Sequence, residues 1–407
     1  MTSSNQYLRS DLRVMGLVGV AHGASHFFHL VLPPLFPILK EEFDVSFSAL
    51  ALLTTCFYGV SGIAQTLAGF LVDRFGARNI LLVGLTLLAT SVIGYGFATE
   101  FWMLLLFSLL AGLGNSVFHP ADLSILTQKV TSLRLGKAYG VHAFSGNVGW
   151  AAAPVFVIYA TQLFNWKTAL ILAGFLGLFV VLFFIIFGND LNDRKFGSNV
   201  RIDAPVFSLA SLNENLSLLF SSTILSCFCF FALLAAALVG IQSFGISAIQ
   251  DLYDIHITHA TFALTTFLVC SAIGILSGGI LADKTTRHDL IAMIGVMLSG
   301  LVLILIGSQL ITASSVIACI GLSGFFSGFT APSRDMLVKK VTPTGSTGRI
   351  FGFVYSGLDF GSSLMPLLLG LIMDIGSANY VFYACAVMLF LTIFTVVNVK
   401  KRSSTAF

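Results

Sequence analysis

Charged side chains are scarce in this chain. Asp, Glu, Lys and Arg make up 10% of its 407 residues, whereas hydrophobic residues make up 57%. A soluble domain usually carries about 25% charged residues. A chain with so few cannot cover a surface that faces water, so ordinary soluble classes of protein are excluded. Because lipid offers the backbone no hydrogen bonds, the remaining architectures are transmembrane helices and closed β-barrels.

Disulfide frameworks and nucleotide-binding loops are lacking as well. All six cysteines lie inside apolar stretches, which argues against disulfide pairing. No GxxxxGK[ST] loop is present, which argues against transport driven by ATP. The first apolar run is too long for the core of a cleavable signal peptide, so none is expected. We predict no cofactor and no resident metal.

The apolar runs are about twenty residues long and continuous, which is the length of a membrane-spanning helix rather than of a barrel strand. The sequence therefore predicts an all-α integral membrane protein. Twelve transmembrane helices are expected, at about 12–39, 47–72, 80–98, 101–126, 138–163, 169–187, 218–248, 262–282, 290–310, 313–337, 351–373 and 380–399.

A short phrase occurs twice, each time at the end of a long apolar run. GFLVDR covers 69–74 and GILADK covers 279–284, an offset of 210 residues. An offset of 212 residues relates five further pairs: Pro120 and Pro332, Gly136 and Gly348, Gly140 and Gly352, Gly149 and Gly361, Pro154 and Pro366. A constant offset of about half the chain predicts one helical unit built twice in the same order, as in secondary transporters.

The duplication divides the chain into two six-helix bundles, predicted at 1–187 and 218–407. Between them, 188–217 is the only long polar stretch and is interpreted as a cytoplasmic linker. Of the 21 lysines and arginines, all but Lys40, Lys167 and Arg334 are predicted on one side of the membrane. By the positive-inside rule both termini are cytoplasmic. The net charge of +3 therefore reflects topology, and no nucleic-acid partner is expected.

The loop between predicted helices two and three carries Gly69-x-Leu71-x-Asp73-Arg74-x-Gly76-x-Arg78. It resembles the signature loop of the major facilitator superfamily, and the copy that contains Asp283 resembles its weaker C-terminal echo. The resemblance implies two pseudo-symmetric bundles that transport by alternating access, with a substrate site between them near the midplane. It also implies that Gly69 lets helices approach closely and that the charged cluster latches the cytoplasmic side. A loop that only sets topology is the alternative.

Two further motifs resemble the fosmidomycin-resistance-type efflux branch of this superfamily. They are Phe118-His119-Pro120 in helix four and Gly146-Asn147-Val148-Gly149, followed by Pro154, in helix five. Ser108 stands where drug–proton antiporters commonly have an arginine, and 157–158 lacks their paired glycines.

Helix one contains His22, Ser25, His26 and His29, which at about 100° per residue share one narrow face. Histidine titrates near physiological pH, so this face suits proton coupling or an anionic substrate. Two alternatives stay open: imidazoles hydrogen-bonded to neighbouring groups, and a metal held by histidines four residues apart. The prolines of 33–37 predict a kink or break in the outer third of this helix.

Helix four contains Asn115, His119 and Asp122, spaced four and then three residues apart, which predicts a second polar face. At the offset of 212, Asp122 corresponds to Arg334, which precedes Asp335. An Asp122–Arg334 pair is expected to close the cytoplasmic mouth. The alternative is a local pair of Arg334 with Asp335.

Helix eleven places Asp359 close to mid-membrane, at the position that corresponds to Asn147. A carboxyl group at that depth is costly and suggests proton coupling, with a structural hydrogen bond as the alternative. Gln242 and Ser243 in helix seven are further candidates for substrate contact.

These patterns together predict a secondary active transporter, a monomer in the bacterial inner membrane, whose partners are a small molecule, protons and lipid. Proton-coupled efflux by antiport is the favoured function. The alternative is proton-coupled uptake of a small organic anion or a metal-chelating carboxylate. An intramembrane enzyme or a channel is a remote alternative, since no nucleophile–base motif and no symmetric filter is apparent.

Overall fold

A computed structural model describes residues 3–191, 219–282, 284–341 and 347–405. These residues form helices and short connections, with no strand among them. The chain divides into two compact units, Met1–Ser198 and Asn199–Phe407. Most of the predicted linker lies outside the described residues, so its bounds stay a prediction.

Eight α-helices and three short 3₁₀ helices make up the described part of the first unit. The α-helices are α1 (Ser3–His29), α2 (Phe36–Phe43), α3 (Phe47–Phe75), α4 (Ala77–Gly96), α5 (Phe101–Asn115), α6 (Phe118–Lys129), α7 (Leu135–Leu163) and α8 (Trp166–Phe187). The 3₁₀ helices are Pro33–Leu35, Ser132–Arg134 and Gly188–Leu191.

Six long α-helices make up the described part of the second unit. They are α9 (Ser222–Tyr253), α10 (Ile257–Ala282), α11 (His288–Gly307), α12 (Ala313–Val341), α13 (Thr347–Asp374) and α14 (Asn379–Thr405). Over the described residues of both units, twelve helical spans are long and apolar enough to cross a membrane. The predicted all-α fold with twelve transmembrane helices is confirmed.

Polar residues cap the N-termini of two helices. Ser46 precedes α3, and its Oγ accepts a hydrogen bond from the backbone N–H of Ala49 at 3.1 Å. Asn165 caps α8 in the same way through Thr168 N–H at 2.8 Å. Such caps satisfy backbone donors that the first turn of a helix leaves open.

Two of the twelve spans are broken. The first continues from α1 through the 3₁₀ helix Pro33–Leu35 into α2, which confirms the break predicted from the prolines. The fourth is divided between α5 and α6 at Ser116 and Val117. Pro120 contributes to this second break, because its ring nitrogen cannot donate to the carbonyl of Ser116 four residues earlier, although its counterpart Pro332 lies within an unbroken α12.

The same helix pairs pack together in each unit. In the first, α1 packs on α7, α3 on α5, α4 on α5 and α4 on α8. In the second, α9 packs on α13, α10 on α12, α11 on α12 and α11 on α14. Taken in order of membrane spans, these are the same pairings, so the sequence repeat is also a packing repeat.

Glycines related by the repeat make the closest contacts. A Cβ on Gly149 would meet the carbonyl oxygen of Gly23, and a Cβ on Gly361 would meet that of Ala232. Gly112 against Phe57 and its repeat counterpart Gly324 against Phe267 form a second such pair. Since lipid gives helices no hydrophobic reason to associate, close packing at small residues is what holds them together.

A third echo lies on the side opposite the duplicated phrase. Asp44 ends α2 and Asp254 ends α9, and both adopt left-handed backbone conformations, with φ of 47° and 49°. They are 210 residues apart, which is the offset of the duplicated phrase. Asp tolerates this conformation better than most residues, which explains why it terminates the helix at both places.

The glycine contacts generate the first prediction. Gly149→Ala should destabilise the protein by about 1–3 kcal/mol, because its Cβ overlaps the backbone of α1. Gly140→Ala on the same helix is the matched control, since no atom lies within 4 Å of its added Cβ. Thermal unfolding in detergent should give a lower Tm for Gly149→Ala alone. Equal Tm values for the two variants would contradict this packing.

Candidate functional site

The polar face of α1 is present and largely buried. His22 is 2% exposed, Ser25 2% and His26 9%, while His29 is half-buried. The imidazole centroids of His22 and His26 lie 4.3 Å apart, and those of His26 and His29 lie 4.8 Å apart. Three imidazoles therefore follow each other along one side of the helix, as the sequence predicts.

Asp122 lies at the inner end of this row and is completely buried. Its Oδ2 lies 3.1 Å from Nδ1 of His22 and 3.2 Å from Nε2 of His142. Its Oδ1 is buried and has no hydrogen-bond partner among the described residues. A buried carboxylate needs partners at hydrogen-bonding distance, and Asp122 finds them on α1 and α7. These bonds lie within its own unit, and the expected pairing of Asp122 with Arg334 of the second unit stays a prediction.

Asn115 forms a second polar centre nearer the outer end of the row. Its Oδ1 accepts a hydrogen bond from Ser25 Oγ at 2.8 Å and lies 2.9 Å from Nε2 of His29. Its Nδ2 donates to Ser61 Oγ on α3 at 2.9 Å. Trp150 Nε1–H donates to Nδ1 of His29 at 3.2 Å. The three hydrogen bonds of this amide hold α1, α3 and α5 together.

Asn115, His119 and Asp122 all contact α1, as the predicted common face requires, but they do not lie on one continuous helix. The break at 116–117 puts Asn115 on α5 and the other two on α6. His119 is exposed and lies 3.3 Å from Oε1 of Gln65, whereas Asp122 is buried toward α1 and α7. The regular spacing of a continuous helix does not apply across the break.

His142 completes the cluster and was not among the predicted site residues. Its ring stacks on that of His22 with centroids 3.4 Å apart. A sequence signal does exist: His142, Gly146 and Gly149 share a face of α7, four and then three residues apart. Gly146 and Gly149 are the positions where α7 comes against His26 and the backbone of α1. A polar residue in line with such glycines lies in the same interface.

Asn147, Gln242 and Ser243 are the other residues predicted for substrate contact or proton coupling. Asn147 is buried but donates only to the carbonyl of Ala143 in its own helix, at 3.0 Å. Gln242 and Ser243 belong to α9 in the second unit, 3% and 2% exposed. Their side-chain oxygens have no partner among the described residues.

Asp359 occupies the middle of α13 in the second unit. Gly357 and Gly361 on either side of it pack against Phe228 and Ala232 of α9. Asp359 lies two residues from each glycine, so its side chain points away from that contact. It is half-buried. No described side chain hydrogen-bonds to its carboxyl group or forms an ion pair with it.

The loop between α3 and α4 carries the arginines of the predicted cytoplasmic latch. Arg78 donates to the carbonyls of Phe184 at 3.3 Å and Gly188 at 2.9 Å, so it caps the C-terminus of α8. Arg74 is exposed, with its guanidinium 5.2 Å from the ring centroid of Phe75. A Cβ on Gly69 would meet no described atom within 4 Å, and the close helix approach expected there stays a prediction.

The remaining gate residues divide into two groups. The side chain of Asp73 and all of Asp283 lie outside the described part of the chain, so the charged latch stays a prediction. Arg334 donates from Nε to Oδ1 of Asp335 at 2.9 Å, which is the local pair that the sequence left open. Its guanidinium also lies 4.3 Å from the ring centroid of Phe231.

Twelve apolar helices in two units that share four helix pairings, with buried polar residues inside each, define a multi-pass membrane carrier. The sequence model of the Major Facilitator Superfamily matches residues 18–253 and 219–406. The chain belongs to this superfamily, whose members are transporters and not enzymes.

Known relatives cover nearly the whole chain. The Fosmidomycin resistance protein of Escherichia coli K12 is 24% identical over 398 residues, 97% of this chain and 94% of that protein. The Hexuronate transporter of Bacillus subtilis 168 is 20% identical over 83% of this chain and 82% of its own. A bacterial homologue of the human lysosomal transporter Spinster, in an inward-facing and occupied conformation, superimposes with a TM-score of 0.69 at 15% identity, covering 96% of this chain and 95% of its own.

The Asn115 centre generates the second prediction. Asn115→Leu keeps the branched shape of the side chain but leaves Ser25, His29 and Ser61 without their partner. Each polar group left unsatisfied costs about 1–3 kcal/mol, so Tm should fall strongly. Asn147→Leu is the matched control, because Asn147 is equally buried and bonds only to its own helix. A fall in Tm as large for Asn147→Leu as for Asn115→Leu would contradict the assigned network.

Proposed function

We propose that this protein is a proton-coupled secondary transporter that exports a small molecule across the cell membrane by alternating access. In this proposal both termini are cytoplasmic, in line with the placement of lysine and arginine. The residues of the helix-one face, with Gln242 of the second unit, contact the substrate. The observation that carries the coupling is Asp359, a carboxyl group at mid-helix without a described partner.

Asp359 suits a proton carrier because of what surrounds it. The helices packed on α13 within its unit are α9 and α14. Their membrane portions present only thiols and phenols as titratable groups, namely Cys227, Cys229, Tyr380, Tyr383 and Cys385. Tyr355 lies one turn earlier on α13, and its ring contacts Phe231 at 4.8 Å.

The nearby ion pair leaves the carboxyl group of Asp359 available. Arg334 is the one basic side chain in the middle of the described part of the second unit, and Asp335 already neutralises it. A carboxyl group without a cation beside it can take up a proton and become a neutral acid. It can release the proton again when the carrier exposes it to water on the other side of the membrane.

Efflux is favoured over uptake by the family relationship. The E. coli relative that matches almost end to end is named for resistance to fosmidomycin, and resistance by a transporter is typically export. The Hexuronate transporter among the relatives supports the second candidate, proton-coupled uptake of a small organic anion, for which the helix-one histidines offer hydrogen-bond donors. The two candidates differ in the direction of the proton gradient that drives accumulation.

Proteoliposomes give the third prediction, with fosmidomycin and a hexuronate as test compounds. An antiporter accumulates its substrate when the lumen is acidic, whichever way the protein is inserted. Asp359→Asn should lower the rate of this gradient-driven accumulation at least tenfold, while substrate exchange without a gradient persists. Asp374→Asn, at the exposed end of the same helix, is the control and should behave as wild type.

Three outcomes would contradict the proposal. Gradient-driven accumulation by Asp359→Asn at the wild-type rate would remove Asp359 from coupling. Accumulation driven only by acid outside the vesicles would replace export with uptake. A response of neither the wild type nor the control to any pH gradient would exclude proton coupling itself.

A further inference from the structure

Five titratable side chains of the first unit converge on one point. His22 and His26 come from α1, His119 and Asp122 from α6, and His142 from α7. The centroid of His22 lies 3.4 Å from that of His142, 4.3 Å from that of His26 and 5.5 Å from that of His119. We call these five residues the histidine cluster. Packing of these three helices does not require so many titratable side chains at their contact.

Several ring nitrogens of the histidine cluster remain unused. Nδ1 of His22 and Nε2 of His142 are bonded to Asp122, and Nδ1 of His119 is bonded to Gln65. The second nitrogens of His22 and His119 have no hydrogen-bond partner among the described residues. Nδ1 of His26 is fully buried and also lacks a partner within the described ranges. A buried polar atom without a partner is costly, so the hydrogen bonds of the histidine cluster do not satisfy all of its polar atoms.

We propose that His22, His26 and His119 bind one divalent first-row transition-metal ion. One ring nitrogen from each lies within 4.8 Å of the others. Three imidazoles form the ligand set that suits Zn²⁺ and its neighbours, and they leave a fourth position open. The chemistry therefore favours a site that exchanges its ion or accepts a further ligand.

Asp122 has the position of an orienting group behind this site. A metal-bound histidine usually donates its other ring N–H to a carboxylate, which fixes the orientation of the ring. Nδ1 of His22 stands in this relation to Asp122, at 3.1 Å. His22 would then bind the metal through Nε2.

A second triplet, His22, Asp122 and His142, also lies within 4.8 Å but suits a metal less well. Its three atoms are already engaged in the two hydrogen bonds to Asp122. The side chains are 3%, 0% and 10% exposed, so the triplet offers no entry for an ion. The proposed triplet includes the exposed His119, which gives the ion access.

Binding requires a small rearrangement. Ligands of a tetrahedral Zn²⁺ with Zn–N bonds of about 2.0–2.1 Å lie about 3.4 Å apart. The imidazoles must therefore draw together by roughly an ångström. His119 can supply most of this movement, because its side chain is exposed and its one described hydrogen bond is long, at 3.3 Å.

The test uses the full-length protein, purified in detergent with a tag that contains no histidine. Co²⁺ is titrated in while the visible d–d bands are recorded, and Zn²⁺ content is measured by mass spectrometry after desalting. Wild type should bind one equivalent and show the intense bands of a four-coordinate site. His119→Gln should weaken binding at least tenfold, and it is not expected to disturb folding because His119 is exposed.

Two further variants test whether the ion binds at the histidine cluster or at histidines elsewhere on the protein. Asp122→Asn should weaken binding about 10–100-fold while the d–d bands persist, as expected for an orienting residue. The double variant His256→Gln/His259→Gln removes two exposed histidines of the second unit and should bind as wild type. Its melting temperature should rise with Zn²⁺ as that of wild type does, whereas that of His119→Gln should not.

Binding below one equivalent, or binding that survives in His119→Gln and His26→Gln, would overturn the proposed site. Loss of binding in His256→Gln/His259→Gln alone would assign the ion to those two exposed histidines. These measurements need no pH gradient and do not involve Asp359. Failure of the metal site is therefore distinguishable from failure of proton coupling.

Discussion

The packing of the first unit depends on the cost of a buried carboxylate. Asp122 is wholly shielded from water, so it must be met by donors at hydrogen-bonding distance. His22 and His142 supply them, and in doing so they fix α1 and α7 against α6. Nearer the outer end of α1, the buried amide of Asn115 is likewise satisfied by hydrogen bonds with Ser25, His29 and Ser61. The polar residues of helix one are thus structural partners first, and any ligand must fit into the network they already form.

The second unit keeps the same framework but has different chemistry. Gly149 and Gly361 bring equivalent helices into backbone contact, so the two units share their packing. At the positions of His119 and Asp122 the second unit has Ala331 and Arg334, and at the position of Asn147 it has Asp359. The histidine cluster lies in one unit, and a carboxyl group with no described ion-pair partner lies in the other. A carrier built this way can divide its tasks, with a ligand held by one unit and a proton carried by the other.

The sequence predicts the fold well because the signals for it are local and repeated. Apolar runs set the helices, and the offset of glycines and prolines predicts the two units; Gly149 and Gly361, one pair at that offset, make equivalent helix contacts. The site is predicted less well, since its geometry depends on contacts between helices. In the broken fourth span, Asp122 is buried between α1 and α7, whereas His119 is exposed beside His22. Arg78, which the sequence predicts in a charged latch, donates to three carbonyls at the end of α8, and sequence spacing does not show this contact between helices.

Alternating access at the face of Asp359 is the central claim, and labelling from both sides of the membrane tests it most directly. Ser363 lies four residues after Asp359, on the same face of α13, and like Asp359 it is half-buried. In a variant without the native cysteines, Ser363→Cys should react with a membrane-impermeant maleimide both in intact cells and in inverted vesicles. A proton gradient or bound substrate should raise one rate and lower the other. Reaction from one side only, unaffected by either, would contradict the account.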